Sequence, residues 1–347
     1  MARRNSNTFF LLMFASAIGL LNGQENRLEL SGCSASPLFY PQGNFVVAYQ
    51  NAHNGLSLAA QKTGAQENVM FDVVPSPVVL SPVIKKDKAG GMGVVWVQYG
   101  RGKYEIYFGR LKDNKLLSAQ SIIQSELPLF SPDLDFDDTL HPWVTWIQAE
   151  NHKYSVCVAN LTMNTIWIVN RPFFASALNP KLLASSSRRI WVIWTGRDKG
   201  RDEIFACVFQ GIWSEPHELN GNDRYPHTCP SACLDGNGNP WVVWSAYDGE
   251  DYEIFYSFWN GESWSTEEQI TANAQCDMSP SVSFVSRTVP LVVWSQSSGR
   301  TGSLCGRYKR GRTWSPEIEI VPYQGEAFRF PKLASYGDRF GMTWESG

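Results

Sequence analysis

The sequence predicts an all-β protein built from seven repeats of about 50 residues. A tryptophan ends a strand-like Val-Val-Trp or similar run at nearly constant steps: Trp96, Trp146, Trp194, Trp244, Trp294 and Trp344, with Tyr49 in the first repeat. A proline precedes each of these aromatic residues by 12 to 14 positions: Pro37, Pro82, Pro132, Pro180, Pro230, Pro280 and Pro331. No apolar period of 3.6 residues persists for the length of a helix. Repeated units of four antiparallel strands are typical of a β-propeller, so we expect seven four-stranded blades around a ring.

The elements of one blade follow from repeat five. Pro230 opens a short innermost strand, where its missing N–H costs least. Residues 235–238 (DGNG) form a hairpin signal before the strand that ends at Trp244. A loop rich in glycine and charge leads to the third strand, and the turn at residues 260–261 (NG) leads to Trp264 and the fourth. We expect the second-strand tryptophans to be buried against the neighbouring blade.

The two ends of the chain are expected to meet. The last repeat stops at residue 347, just after its second strand, which leaves that blade incomplete. An unpaired edge strand is an aggregation hazard. Asn26–Ser31 (NRLELS) alternates apolar and polar residues, so we expect this N-terminal strand to pair with the blade that contains Trp344 and to close the ring.

The N-terminus has the pattern of an export signal. Arg3 and Arg4 precede an apolar run over residues 9–21, and a polar stretch follows it. This pattern predicts a signal peptide over residues 1–23 and a single propeller domain over residues 24–347, secreted, periplasmic or at the cell surface. Residues 30–33 (LSGC) resemble a lipidation motif, but charged residues separate them from the apolar run. No segment is expected to span a membrane.

Composition excludes several classes of partner and site. A net charge of −3 gives no overall attraction to nucleic acid or anionic membranes, and we expect a monomer. The seven cysteines include Cys229 and Cys276, which lie in successive inter-repeat segments and can pair with each other. They lack the spacing of a zinc site, and no cofactor motif is present. We therefore expect neither a metal nor a cofactor.

One turn resembles a known repeat motif. Residues 257–264 (SFWNGESW) share the frame of the Asp-box, Ser-x-Asp-x-Gly-x-Thr-Trp, and residues 307–314 (RYKRGRTW) share its last half. Trp259 and Lys309 stand where the motif has its aspartate. The chain thus resembles secreted bacterial sialidase-type propellers with a degenerate Asp-box. That resemblance implies the fold, export and association with glycans. The sialidase arginine triad, nucleophile pair and acid cannot be carried over to particular residues, so it implies no catalytic residue here.

Candidate ligand-binding residues lie in the loops expected at one end of the channel. Arg101, Arg197 and Arg300 come from the loops between strands two and three of alternate repeats. Guanidinium groups bind carboxylate or phosphate bidentately, so the three can converge on an anionic ligand. The alternative is that they are ordinary solvated loop residues.

A second group of candidates lies in repeat five. The segment before Pro230 carries Arg224, Tyr225 and His227, and the loop at residues 245–251 adds Tyr247. His227 is the natural acid–base candidate, although a loop histidine is more often structural. Asp248, Glu250, Asp251 and Glu253 form an acidic run that is able to hold Ca²⁺. Glu105 and Glu203 match Glu253 in other repeats, which favours a structural position instead.

These observations favour an exported, non-enzymatic propeller that binds a glycan or an extracellular protein through its channel-mouth loops. The alternatives are a sialidase-like glycoside hydrolase and an envelope-associated scaffold module. A hydrolase needs two carboxylates flanking the bond, for which Asp223, Asp277 and Glu326 are the loop candidates.

Overall fold

The structure, a computed structural model, describes residues 8–14, 26–40, 44–61, 68–74, 78–112, 115–170, 176–198, 200–221, 224–298, 301–323, 327–337 and 339–346. Within these ranges the chain is entirely β, with 28 strands in six antiparallel sheets arranged as a propeller. None of the described segments is a helix that is long and apolar enough to cross a membrane. The all-β propeller expected from the sequence is confirmed.

The first three repeats supply the following strands. The N-terminal region and repeat one form β1 (Thr8–Phe14), β2 (Asn26–Tyr40), β3 (Asn44–Asn51), β4 (Leu56–Gln61) and β5 (Asn68–Val74). Repeat two forms β6 (Val78–Lys86), β7 (Met92–Gly100), β8 (Lys103–Lys112) and β9 (Lys115–Ser125). Repeat three forms β10 (Leu129–Phe136), β11 (Pro142–Glu150), β12 (Lys153–Asn160) and β13 (Thr165–Ile168).

The remaining repeats continue the pattern. Repeat four forms β14 (Ser176–Ser186), β15 (Arg189–Asp198), β16 (Arg201–Phe209) and β17 (His217–Glu218). Repeat five forms β18 (His227–Leu234), β19 (Pro240–Tyr247), β20 (Tyr252–Phe258) and β21 (Glu268–Gln269). Repeat six forms β22 (Cys276–Ser286), β23 (Val289–Ser298), β24 (Thr301–Arg310), β25 (Thr313–Trp314) and β26 (Ile318–Val321). Repeat seven forms β27 (Phe328–Tyr336) and β28 (Arg339–Ser346).

Each innermost strand carries the same β-bulge. The register of the strand pair shifts next to a non-glycine residue with positive φ: Ser34, Ser81, Ser131, Asn179, Cys229, Ser279 and Phe330. In six strands the next residue is the repeat proline, which has no N–H to lose from the ladder. In β2 the equivalent residue is Ala35, so Pro37 is two positions out of phase with the other prolines.

Side-chain hydrogen bonds tie four of the innermost strands to the next one around the ring. In these four strands, the side chain of the residue after the bulge proline, or after Ala35, accepts from a backbone N–H of the following repeat. The four such bonds are Ile84 N to Ser36 Oγ (3.2 Å), Leu182 N to Asp133 Oδ2 (2.9 Å), Val282 N to Ser231 Oγ (3.3 Å) and Leu333 N to Ser281 Oγ (2.9 Å). This position therefore faces the centre of the ring and the neighbouring sheet together.

The core lies between neighbouring sheets. All six strand tryptophans of the repeat are at most 1% exposed, and Tyr49 is also buried, which confirms the expected second-strand core. Tryptophans of the outer turns add to the same interfaces. Trp264 of repeat five packs edge-on against Trp191 of repeat four, with ring centroids 5.4 Å apart. Each repeat of the sequence thus contributes an equivalent set of contacts between neighbouring sheets.

The N-terminal strands join the last and first repeats. One sheet has seven strands in the order β27-β28-β1-β2-β3-β4-β5. Residues 8–14 of β1 pair with β28, and Asn26–Ser31 of β2 pair with β1. Asn26–Ser31 therefore lie in the same sheet as Trp344, with β1 between them rather than directly beside β28.

Candidate functional site

The loops that follow the second strands lie at the same end as the starts of the innermost strands. In repeat five, His227 at the start of β18 is opposite Ala246 near the end of β19. The same antiparallel pairing places Cys276 opposite Ser297 in repeat six. The two sets of chain segments therefore surround one mouth of the channel.

A cavity of about 430 Å³ lies in the channel, along the innermost strands from the bulges towards the ends of those strands. Innermost strands of all seven repeats line it, through residues around the bulge. The residues directly after the bulge proline, or after Ala35, are Ser36, Val83, Asp133, Lys181, Ser231, Ser281 and Lys332. Two positions further on, the wall includes Lys85 and Cys233. The cavity thus combines hydroxyls, thiols, the carboxylate of Asp133 and four lysines, Lys85, Lys86, Lys181 and Lys332.

On one side of the cavity, Lys85 is balanced by carboxylates. Burial alone would lower the pKa of Lys85, but the charges of Asp133 and Asp135 raise it above its usual value. Burial raises the pKa of Asp135, even though Lys85 and two backbone N–H donors oppose that shift. Both oxygens of Asp133 also accept backbone N–H groups, at 2.9 Å each. These carboxylates are therefore occupied by the protein itself.

On the other side, two cations lie near each other without comparable compensation. Burial and, to a smaller extent, the nearby charge of Lys181 lower the pKa of Lys332 to about 8, while the charges of Glu345 and Asp133 oppose this shift. Within the described part of the chain, neither ammonium group forms an ion pair within 4.0 Å. An anion that enters between them would offset both the desolvation of Lys332 and the repulsion.

Phe330 stands beside this pair. It is 51% exposed, lines the cavity, and has φ +51° at the bulge. Positive φ is unfavourable for a bulky side chain, and the other strands have Ser, Asn or Cys there. Strain held at a cavity mouth is a common property of functional positions.

Among the described residues, the predicted arginines Arg101, Arg197 and Arg224 do not line this cavity. Arg101 is exposed in a positive-φ turn, and Arg224 is exposed. Arg197 makes a bidentate pair with Asp202 of its own hairpin, at 2.8 and 2.9 Å, which raises the pKa of the guanidinium. Arg300 lies outside the described residues. Their convergence on one ligand stays a prediction.

The predicted residues of repeat five divide into two groups. Tyr225 and Tyr247 come together edge to face with ring centroids 5.7 Å apart, and Tyr252 joins Tyr247 at 5.6 Å. His227 is only 1% exposed, and its Nδ1 accepts the indole N–H of Trp244 at 3.0 Å. The tyrosines therefore form a partly exposed patch at the mouth, whereas His227 is placed in the core.

The candidate hydrolase carboxylates and the cysteines are distributed as follows. Asp277 is fully buried, and Asp223 and Glu326 lie outside the described residues. Cys229 and Cys276 are both free thiols, so the pairing considered for them is not formed. Burial raises the pKa values of the Cys157 and Cys305 thiols to about 12, which makes them poor nucleophiles.

Sequence reasoning missed the cavity lysines. Three of the four, Lys85, Lys181 and Lys332, lie in three different repeats, and none belongs to a local motif. Their common signal is their spacing: Lys181 and Lys332 directly follow the bulge proline, and Lys85 lies three residues after it. Aligning the repeats on the bulge would have placed all three around the channel.

Comparison with known proteins supports the fold alone. No protein-family model matches the chain, and no curated protein matches it in sequence. Among solved structures, a polysaccharide lyase of family PL25, an ulvan lyase, is 10% identical, with a TM-score of 0.59 and 88% of each chain covered. A putative TolB from Agrobacterium tumefaciens is 11% identical, with a TM-score of 0.55 over 98% of this chain and 99% of its own. A fungal alcohol oxidase of the AA5 family is 10% identical, with a TM-score of 0.58 over 91% of this chain and 74% of its own. The chain shares the β-propeller fold of these proteins.

Proposed function

We propose that this β-propeller is an exported, non-enzymatic binding protein whose channel cavity holds an acidic sugar of a glycan. The observation that carries the proposal is the pair Lys181 and Lys332, two neighbouring ammonium groups in a cavity of about 430 Å³ without an ion-pair partner among the described residues. A cavity of this volume is in the range of small-ligand sites.

Electrostatics favour an anionic ligand over a neutral one. Lys332 has a pKa of about 8, so near neutral pH it remains mostly charged in spite of its burial. A carboxylate or sulfate between Lys181 and Lys332 forms charge-assisted hydrogen bonds with both. Asp133 and Asp135 form no ion pair within 4.0 Å with Lys181 or Lys332, although the charge of Asp133 does raise the pKa of Lys332.

Phe330 supplies the complementary apolar surface. The exposed ring of Phe330 can cover the apolar face of a sugar ring. Lys332, two positions further along the strand, and Lys181 of repeat four can then bind the acid group of that sugar. Tyr225, Tyr247 and Tyr252 form a separate aromatic patch before the start of β18, and none of them lines the cavity. The expected ligand thus has an acid group and a sugar face side by side.

One structural neighbour is in keeping with this ligand class. The PL25 ulvan lyase has also been determined bound to -[GlcA(1-4)Rha3S]-, an acidic oligosaccharide. At 10% identity this likeness extends to the fold, and the ligand class proposed for the present chain rests on its own lysines and Phe330.

The test compares acidic and neutral oligosaccharides. We expect isothermal titration calorimetry of the purified protein to detect binding of tetragalacturonic acid. Cellotetraose, which is neutral, should bind at least tenfold more weakly than tetragalacturonic acid. The Lys181→Met/Lys332→Met variant should lose this preference, whereas Lys115→Met, which removes an exposed lysine on the outer strand β9, should retain it. Binding should also weaken as the pH rises past 8, because Lys332 loses its proton.

Three results would count against the proposal. Equal affinity for tetragalacturonic acid and cellotetraose would show that the lysines do not select an acidic ligand. Unchanged binding by the double methionine variant would place the site elsewhere. Release of shorter products from the acidic sugar would identify an enzyme. Phe330→Ser introduces the residue that four other strands have at this bulge, so we expect it to weaken sugar binding without lowering the melting temperature.

We also propose that the ring has seven blades. At 15 residues β2 is the longest strand, and it changes partner along its length: Asn26–Ser31 pair with β1, and residues from Gly32 onward pair with β3. The seven-stranded sheet then consists of two blades that share β2. The seven bulges support the same count.

Closure of the ring by the N-terminus is part of this proposal. In the seventh blade, β27 and β28 would be completed by β1 and the first half of β2. Removal of a signal peptide over residues 1–23 would remove β1 and leave Asn26–Ser31 as the closing strand. N-terminal sequencing of exported protein distinguishes these two forms, and export itself is supported here by the apolar run after Arg3 and Arg4.

The sialidase-type relationship is retained as a proposal for the outer turns. At residues 257–264, Asn260 Oδ1 accepts the N–H groups of Glu262 and Ser263, at 2.9 and 3.0 Å. Trp264 closes the turn by pairing with Trp259 and packing on Trp191. A side-chain-capped turn with a partly buried tryptophan is the arrangement that we expect the degenerate Asp-box to keep.

A further inference from the structure

We propose that Asp248, Asp251 and Glu253 of repeat five form a Ca²⁺ site at the channel mouth. One carboxylate oxygen from each residue lies within 4.8 Å of those of the other two. This site is separate from the lysine pair and does not rest on the proposed sugar binding.

A comparison of repeats shows what is unusual about this cluster. The hairpin between the second and third strands has the same register in repeats two, four and five, with Tyr99 opposite Tyr104, Arg197 opposite Asp202 and Tyr247 opposite Tyr252. The residue before the third-strand partner is Lys103 in repeat two, Arg201 in repeat four and Asp251 in repeat five.

In repeat four this position neutralises a buried acid. Arg201 Nε lies 3.3 Å from Glu203 Oε1, and Glu203 is 3% exposed. Glu253 is the equivalent buried acid of repeat five, and it is 0% exposed. Asp251 therefore replaces the protein's own cation with a second negative charge. A buried carboxylate is costly unless it is paired or bound to a metal, so a cation from solution would take the place of the charge that Arg201 supplies in repeat four.

The oxygens are also left open for a ligand. Glu253 Oε1 accepts the N–H of Asn273 at 2.6 Å, but Glu253 Oε2 is buried and has no hydrogen-bond partner. Asp251 Oδ1 is likewise buried without a partner. Asp248 is held in place because its Oδ1 accepts the N–H groups of Glu250 and Asp251, at 2.9 and 3.2 Å. The cluster thus contains two oxygens without a hydrogen-bond partner and one anchored carboxylate.

The dimensions and chemistry fit calcium best. Ca²⁺ binds carboxylate oxygens at about 2.3–2.6 Å, so two of its ligands can be separated by up to about 5 Å. Three carboxylates supply hard oxygen ligands, and no histidine or thiol is in the group that would favour zinc. Mg²⁺ requires shorter bonds and usually retains several waters, which suits a partly buried carboxylate group less well.

The test uses the full protein after treatment with a chelator that is then removed. We expect Ca²⁺ to raise the melting temperature by several degrees and to bind with a stoichiometry of one in isothermal titration. Mg²⁺ at the same concentration should have a smaller effect. Tb³⁺ should bind at the same place and give luminescence sensitised by nearby tyrosines, and Ca²⁺ should displace it.

Two variants distinguish the site from general stabilisation. Asp251→Arg introduces the repeat-four arrangement, in which the guanidinium pairs with Glu253. This variant should therefore remain folded, melt at or above the temperature of the chelator-treated parent, and lose the Ca²⁺ response. Asp248→Asn should weaken Ca²⁺ binding at least tenfold, whereas Asp202→Asn in repeat four should leave it unchanged.

The proposal is overturned if millimolar Ca²⁺ neither shifts the melting temperature of the parent nor binds in the titration. It is also overturned if Asp251→Arg binds Ca²⁺ as the parent does. Sugar binding measured in chelator provides an independent readout, because the lysine site contains none of these three carboxylates.

Discussion

The pH dependence of stability provides a direct test of the buried acid Asp277. This residue is 0% exposed, and Asn273 Nδ2 donates to its Oδ2 at 2.9 Å while its Oδ1 has no hydrogen-bond partner. Burial, together with the nearby charge of Glu253, raises the pKa of Asp277 from 3.8 to about 7. The pKa of Asp277 is higher in the folded chain than in the unfolded chain. The protonated carboxyl therefore favours folding relative to the ionised carboxylate, and it predominates at low pH.

The sign and size of the effect follow from proton linkage. Below about pH 4 the carboxyl is protonated in both the folded and the unfolded chain. Between pH 4 and 7 the unfolded chain releases the proton and the folded chain retains it, so the free energy of unfolding falls as the pH rises. A pKa difference of about three units corresponds to about 4 kcal/mol, since each unit is worth about 1.36 kcal/mol.

Replacing Asp277 with asparagine removes this titration and keeps a carbonyl oxygen that can accept from Asn273. We expect the stability of Asp277→Asn relative to the parent to increase by about 4 kcal/mol between pH 4 and pH 7.5. Urea denaturation at several pH values, with chelator present, measures the difference. Glu262→Gln, in an exposed turn, is the matched control and should show no such trend. A difference between Asp277→Asn and the parent that does not change with pH would refute the reasoning.

Two further predictions concern the core and the N-terminal strand. Trp294 is 0% exposed, so Trp294→Ala should lower the free energy of unfolding by about 3–5 kcal/mol. Trp294→Phe should lower it by less. A loss below about 1 kcal/mol for Trp294→Ala, measured by urea denaturation, would be inconsistent with this burial. Deletion of residues 24–32 should lower the melting temperature and promote oligomers, because it removes a strand that covers an edge of the sheet containing β28. If calorimetry and sedimentation find the deletion variant as stable and as monomeric as the parent, these residues do not close the ring.

The repeat architecture was readable from the sequence because it depends on local pattern. A strand buried on both faces needs a run such as that ending at Trp244, and a bulge tolerates the proline that precedes it. Both features recur with each sheet, so their period predicted the sheets. The same reasoning misassigned the phase of the first repeat, because the bulge there has Ala35 after Ser34 and Pro37 merely lies nearby. The backbone conformation, and not the proline itself, defines the repeated position.

The sites depended on contacts that no local pattern encodes. Lys181 and Lys332 are 151 positions apart and become neighbours only because the ring brings their innermost strands to one cavity. His227 looked like an accessible acid–base group in a polar segment, but the packing of Trp244 places it in the core. The acidic run of repeat five is unusual only in comparison with repeat four, one blade away. There Arg201 supplies a cation at the position that Asp251 occupies in repeat five. Short-range hydrophobic periodicity therefore determined the sheets, whereas ring closure decided which charges face each other, because electrostatic partners are selected by distance in space and not along the chain.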